Sequence, residues 1–172
     1  MNRKTGDQSV SEKLERAREY EKNRQNEISS EEKPVFHITP PIGWMNDPNG
    51  FSFYDGKIHL FYQYHPYTRE WGPMHWGHSV SEDMISWENL PVALAPDEKY
   101  DALGCFSGSA LEANGKHVLL YTGVSRQMLE DGKEEERQNQ CIAYGDGISY
   151  EKSSKNPETK QSRNGIRLIV DI

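Results

Sequence analysis

FSFYDGKIHLFYQY, residues 51–64, decides the fold class. Aromatic and β-branched side chains alternate with others on both sides of Asp55-Gly56. That pair tolerates φ > 0 at two successive positions, the strongest short-range signal for a β-hairpin. SALEANGKHVLLYTG, residues 109–123, repeats the pattern around Asn114-Gly115, and QCIAYGDGISYEK, residues 140–152, offers a third turn at Asp146-Gly147. From residue 35 onward the chain keeps this texture of short apolar runs punctuated by glycine. The expectation is an all-β fold.

The first two hairpins also align with each other. Gly56–Tyr62 lies over Gly115–Tyr121 at an offset of 59, and Ile85-Ser86-Trp87-Glu88 lies over Ile148-Ser149-Tyr150-Glu151 at an offset of 63. Two landmarks at nearly one offset predict an internal repeat with about four strands per copy, the pattern of propeller blades. Trp87 and Tyr150 fall at matching places and are assigned to blade packing. A closed propeller takes about 4–8 blades. The expectation for two blades is therefore assembly with other chains or a place at the front of a longer protein.

Outside the repeat, residues 1–33 carry eight basic and eight acidic side chains, so the net charge of −7 belongs entirely to residues 34–172. An acidic globular part is a poor partner for phosphate backbones or anionic membranes, so neither nucleic acid nor membrane is expected. The opening MNRKTGDQSV has no apolar core segment, no run reaches the length of a spanning helix, and Cys105 and Cys141 are too few for a disulfide framework. These features read as cytoplasmic. Residues 9–28 predict a helical leader, with Ser9 and Glu12 at capping-box spacing and a thin stripe of Leu14, Ala17 and Tyr20. So thin a stripe suggests a solvated, partly frayed helix. The domains expected are this leader at 1–33, a partial propeller at 34–152, and an atypical, disordered tail at 153–172.

Chemistry concentrates in GWMNDPNG, residues 43–50. Asp-Pro-Asn-Gly alone is a turn recipe, but a turn does not need Trp44, Met45 and Asn46 at its entrance. In a propeller the first strand of each blade lines the central channel. Asp47 lies nine residues before Gly56, and nine before Gly115 is Phe106, followed by Ser107. The repeat thus predicts that Asp47 and Phe106-Ser107 share one pocket. Trp44, Gln63, Trp71, His75, Trp76 and His78 lie near in sequence, and aromatic faces with amides and a carboxylate suit a sugar. His75 and His78 invite a metal reading. HxxH on a strand sends the rings to opposite faces, however, and no nearby third ligand completes a site, so no metal or cofactor is expected. The acidic run Glu134–Glu136 reads as a solvated loop, and core packing is a rival reading for Trp44 and Trp71.

These residues carry a resemblance. WMNDPNG, Gln63, Trp71-Gly72, HSVSEDMISWENLPVALAP, FSGS at 106–109 and YTG at 121–123 occur in the order found in glycoside hydrolase family 32, over roughly residues 36–152. The resemblance implies a five-bladed β-propeller followed by a β-sandwich, and hydrolysis of β-fructofuranosides such as sucrose or sucrose 6-phosphate with retention. It implies that Asp47 is the nucleophile, and that Trp44, Met45, Asn46, Gln63, Trp71, Phe106 and Ser107 line the fructose subsite. Retention requires a second carboxyl group about 5–5.5 Å away. The family's Glu-Cys and Arg-Asp-Pro motifs, which supply the acid/base and a transition-state aspartate, do not occur in these 172 residues. The expectation is an enzyme chain cut short near residue 156 and inactive alone. Asp97 and Asp101 are weak substitutes for the missing acid. A carbohydrate-binding partial propeller and an inert remnant are the alternatives.

Overall fold

The computed structural model describes residues 10–34, 36–162 and 165–168. One helix, α1 (Glu12–Arg24), precedes a sheet of β1 (Trp44–Tyr54), β2 (Lys57–His65), β3 (His75–Ser81) and β4 (Glu88–Leu94). A second sheet holds β5 (Gly104–Ala113), β6 (Lys116–Met128), β7 (Glu134–Gly145) and β8 (Tyr150–Lys152). Each is a four-stranded antiparallel meander in sequence order. They are the two expected blades.

The turn residues explain the matching connections. Asp55 and Gly56 have φ of 46° and 76°, and Asn114 and Gly115 have 52° and 72°. Both pairs thus have the positive φ values of a type I′ hairpin, whose twist suits the flanking strands. The second landmark of the repeat has its own cause. Asp83 Oδ1 accepts from the amides of Ile85 and Ser86, and Asp146 Oδ1 accepts from those of Ile148 and Ser149. Those amide bonds, led by Ser86 and Ser149 respectively, hold both carboxyls below the usual carboxylate range.

Strand β2 buries both of its faces. Phe61 joins Trp76 and Leu94 against Leu119, Tyr121 and Tyr150 of the second blade. The alternate residues Tyr62 and Tyr64 pack with Val92 beneath Leu14 and Ala17 of α1. A side chain of this size contributes about 1.5–3 kcal/mol when fully buried.

Several expectations need correction. Ser11, not Ser9, caps α1: its Oγ accepts from the amide of Leu14 at 3.2 Å, and the helix ends at Arg24. Ser9 lies outside the described residues. The helix is docked rather than frayed, because polar side chains supplement the thin apolar stripe. Arg18 Nε donates to the Val92 carbonyl at 2.9 Å, and the Val92 amide donates to Glu21 Oε2 at 3.3 Å. Both backbone groups of one residue on β4, the outer strand of its sheet, are thereby satisfied, which covers part of an edge.

Trp87 is not a packing element; it sits half-buried at the outer turn, bonded to the Met84 carbonyl, whereas Tyr150 is in the inter-blade core. Glu134–Glu136 is the exposed start of β7, paired with Arg126–Met128, rather than a loop. The tail is not uniformly disordered. Asn156 bonds both backbone groups of Ile142, and β9 (Thr159–Ser162) pairs with β10 (Gly165–Leu168). Residues 163–164 and 169–172 lie outside the described residues.

Candidate active site

Asp-Pro-Asn-Gly is not a free turn. It lies within β1, flanked by two register breaks. Met45 faces Tyr64 and Pro48 faces Tyr62, so Asn46 and Asp47 together oppose Gln63 alone. Two residues against one is a β-bulge, a device that re-aims a side chain. Asp47 is exposed there, and its carbonyl accepts from Asn49 Nδ2 at 3.3 Å. Gly50, at φ 59°, passes so close to Phe61 that a Cβ would lie 2.6 Å from its ring.

The second blade repeats the device at the place the repeat indicates. Phe106 faces Thr122 and Gly108 faces Tyr121, leaving Ser107 as the extra, exposed residue of β5. The two inner strands, β1 and β5, pack beside one another. Gln63 Nε2 donates to the Cys105 carbonyl at 3.1 Å, and Trp76 Nε1 donates to the Phe106 carbonyl at 3.2 Å. Trp71 meets Phe106 edge to face, with ring centres 6.4 Å apart. Trp44 Nε1 donates to Asn46 Oδ1 at 2.9 Å. Trp71 is 60% exposed, which removes core packing as its role, and Trp44 is half-buried. Met45 instead leans on the tyrosine cluster beneath α1. Gln63, Trp71, Phe106 and Ser107 thus meet across the blades, with Trp44, Asn46 and Asp47 at the start of the neighbouring inner strand.

The two spare carboxylates are held elsewhere. Lys152 Nζ is bonded to Asp97, lies 2.5 Å from Asp101 Oδ2, and donates to the Ala95 carbonyl at 2.7 Å. Asp101 is fully buried and also accepts from Tyr121 Oη at 2.9 Å. Burial opposes the charge on Lys152, but Cys105, Asp101 and Asp97 around it more than restore it, so its pKa moves up. The arrangement is a structural ion cluster. It gives neither aspartate the freedom of a general acid.

The histidines also need correction. His75 and His78 do face opposite ways, His75 bonding the Pro73 carbonyl at 3.0 Å. Yet His78 has company that chain spacing concealed. His59 Nδ1 lies 2.9 Å from His78 Nε2, and the His59 and His117 rings are 4.8 Å apart. The legible signal was alternation, which puts His59 on the face of Phe61 and His117 on that of Leu119 and Tyr121. Among the described residues no group of three His, Cys, Asp or Glu side chains is placed to hold a metal ion.

Paired four-stranded blades with inner strands bulged at equivalent points define a propeller-class chain. The model of the glycosyl hydrolases family 32 N-terminal domain matches residues 37–167, and the chain belongs to that family. The match continues past residue 152, where the recognisable motifs end. The chain is 52% identical over 126 residues to the sucrose-6-phosphate hydrolase of Zymomonas mobilis, covering 73% of this chain and 24% of that protein. It is 51% identical over 122 residues to an Escherichia coli raffinose invertase, covering 69% and 25%. It therefore spans about a quarter of these relatives. Among solved structures, the GH32 β-fructofuranosidase of Bombyx mori superposes with a TM-score of 0.76 at 42% identity, covering 88% of this chain and 31% of that one. The sucrose-6-phosphate hydrolase of Lactobacillus gasseri gives 0.64 at 36% identity, covering 88% and 29%. Among the described residues no helix is long and apolar enough to cross a membrane.

Proposed function

We propose that these residues form the fructose-binding front of a retaining β-fructofuranosidase acting on sucrose or sucrose 6-phosphate, with Asp47 as the nucleophile toward the fructosyl anomeric carbon. The observation that carries this reading is the pair of equivalent bulges, which set Asp47 and Ser107 outward on adjacent inner strands. Trp44, Asn46, Gln63, Trp71 and Phe106 form the subsite around them, and Met45 supports it from behind. The family membership supports the reaction class, and a variant of the Bombyx mori relative solved in complex with sucrose supports the sugar. The unpaired, buried thiols of Cys105 and Cys141 fit the reducing cytoplasm we assign to it.

Retention needs two carboxyl groups. Asp97 and Asp101 are committed to Lys152, so these 172 residues by themselves bind the sugar without turning it over. Titrating labelled chain with sucrose tests this. Amide shifts at Asn46, Asp47 and Ser107, lost in Trp71→Ala, are expected, with no release of glucose. Absence of any shift overturns the site, and glucose release abolished by Asp47→Asn overturns the claim that one carboxylate is insufficient.

A further inference from the structure

Cys105 presents both of its backbone groups to the first blade: its amide donates to the Met74 carbonyl at 2.8 Å, and its carbonyl accepts from Gln63 Nε2. In a regular strand the next residue faces the other way, so the Phe106 carbonyl should turn toward β6. The bulge at Ser107 interrupts the register immediately after Phe106, and the Phe106 carbonyl accepts from Trp76 Nε1 of the first blade. Consecutive carbonyls of β5 are thus caught from one side, by two residues that are themselves register partners on β2 and β3.

Trp76 reaches the other inner strand as well. It is fully buried, and its ring edge would lie 3.1 Å from a Cβ at Gly50, three residues after Asp47. The Phe61 ring, tilted against it at 5.4 Å, completes the floor beneath β1. One indole therefore packs under the strand that carries Asp47 and hydrogen-bonds the strand that carries Ser107.

We infer that Trp76 is a positioning residue: its N–H holds the β5 bulge open and fixes Ser107 relative to Asp47. This rests on the reading of those two residues as a sugar site. The role belongs to the hydrogen bond, which separates it from mere packing. A partly buried carbonyl deprived of this donor loses a partner it does not fully recover from water, and the strand will relax toward a regular ladder.

The test replaces Trp76, by site-specific incorporation, with β-(3-benzothienyl)alanine, which keeps the ring shape and lacks the N–H. Trp76→Phe serves as a second variant. Sucrose affinity and the backbone shifts of Phe106 and Ser107 are followed in isotope-labelled chain. The isostere is expected to melt close to wild type, to move the Phe106 carbonyl carbon and Ser107 amide resonances, and to bind sucrose about tenfold more weakly. Unchanged resonances and unchanged affinity in the isostere overturn the inference. If wild type itself binds no sucrose, the sugar-site reading fails. The Phe106 and Ser107 resonances then decide the bulge coupling alone: movement supports it, and constancy overturns it.

Discussion

The two faces of the first blade meet their neighbours by opposite electrostatic means. Toward the second blade, the seam is aromatic and made of neutral imidazoles. His59 Nε2 faces the Tyr54 carbonyl at 3.2 Å and so carries the proton, which makes its Nδ1 the acceptor for His78 Nε2–H. Ser52 Oγ donates to the Gly50 carbonyl, so it accepts from His117 Nε2–H at 2.9 Å, while Tyr150 Oη donates to His117 Nδ1 at 2.7 Å. Toward α1, tyrosines and small apolar residues are joined by charged ones, Arg18 and Glu21, on the backbone of β4. The same sheet thus has imidazoles kept neutral by burial on one side and, packed on the other, a carboxyl whose charged form burial disfavours.

The lesson lies in the sign of the pH response. Burial, with His59 beside it, pushes His117 down to about 4, and burial with its histidine neighbours pushes His78 well below the usual value. The unfolded chain then takes up protons first as pH falls below about 6.5. The inter-blade seam loses stability from there down to about 4. Glu21 behaves in reverse. Burial, only partly offset by the Val92 amide and Arg18, raises it to about 7. Between about 4.5 and 7 the folded state holds the extra proton, so the α1 seam gains stability as pH falls through that window.

The comparison can be broken most forcefully at Phe61, which is fully buried between the blades. Phe61→Ala should cost about 3–5 kcal/mol in urea unfolding, through lost contacts and the cavity left behind. Next comes pH. In a Glu21→Gln background, which removes the opposing response of the α1 seam, urea midpoints measured from pH 7 to pH 4.5 should fall, each seam histidine contributing up to about 1.4 kcal/mol per pH unit. A flat profile would remove the neutral-imidazole account. Glu21→Gln keeps an acceptor for the Val92 amide and removes the buried charge. It should stabilise by on the order of 1 kcal/mol at pH 8 and change nothing at pH 5, and equal effects at both would contradict the assignment. Ser11→Ala should cost about 1 kcal/mol as a lost cap, seen as faster amide exchange in the first turn of α1. Asp47→Asn should move the melt least, within about 0.5 kcal/mol, because the side chain is exposed. A larger loss would mean that Asp47 supports the fold rather than a ligand.

What could be read in the sequence was what local chemistry determines. Asp55-Gly56 and Asn114-Gly115 each specify a turn by themselves, and alternation along 57–65 and 116–125 specifies strands. The correspondence of Asp47 with Phe106-Ser107 came from the same turns by counting back. The bulges were hidden, because a bulge is a relation between two strands and leaves no mark on one. Contacts between residues far apart were hidden too. Nothing near Lys152 announces Asp97 and Asp101 some fifty residues earlier, and Arg18 and Glu21 find β4 more than seventy residues away. A thin apolar stripe looks like a solvated helix unless its polar side chains are known to have backbone partners.

The docking of α1 on β4 has a bearing on how the protein is made. Synthesis proceeds from the N-terminus, and domains begin to fold as they emerge. The helix is translated first and waits for β4, which completes the first sheet before any strand of the second blade exists. An outer strand just released from the ribosome is a ready template for pairing with another nascent chain. Here the group that occupies the Val92 backbone is already present when Val92 appears, so the growing chain carries its own chaperone for that edge.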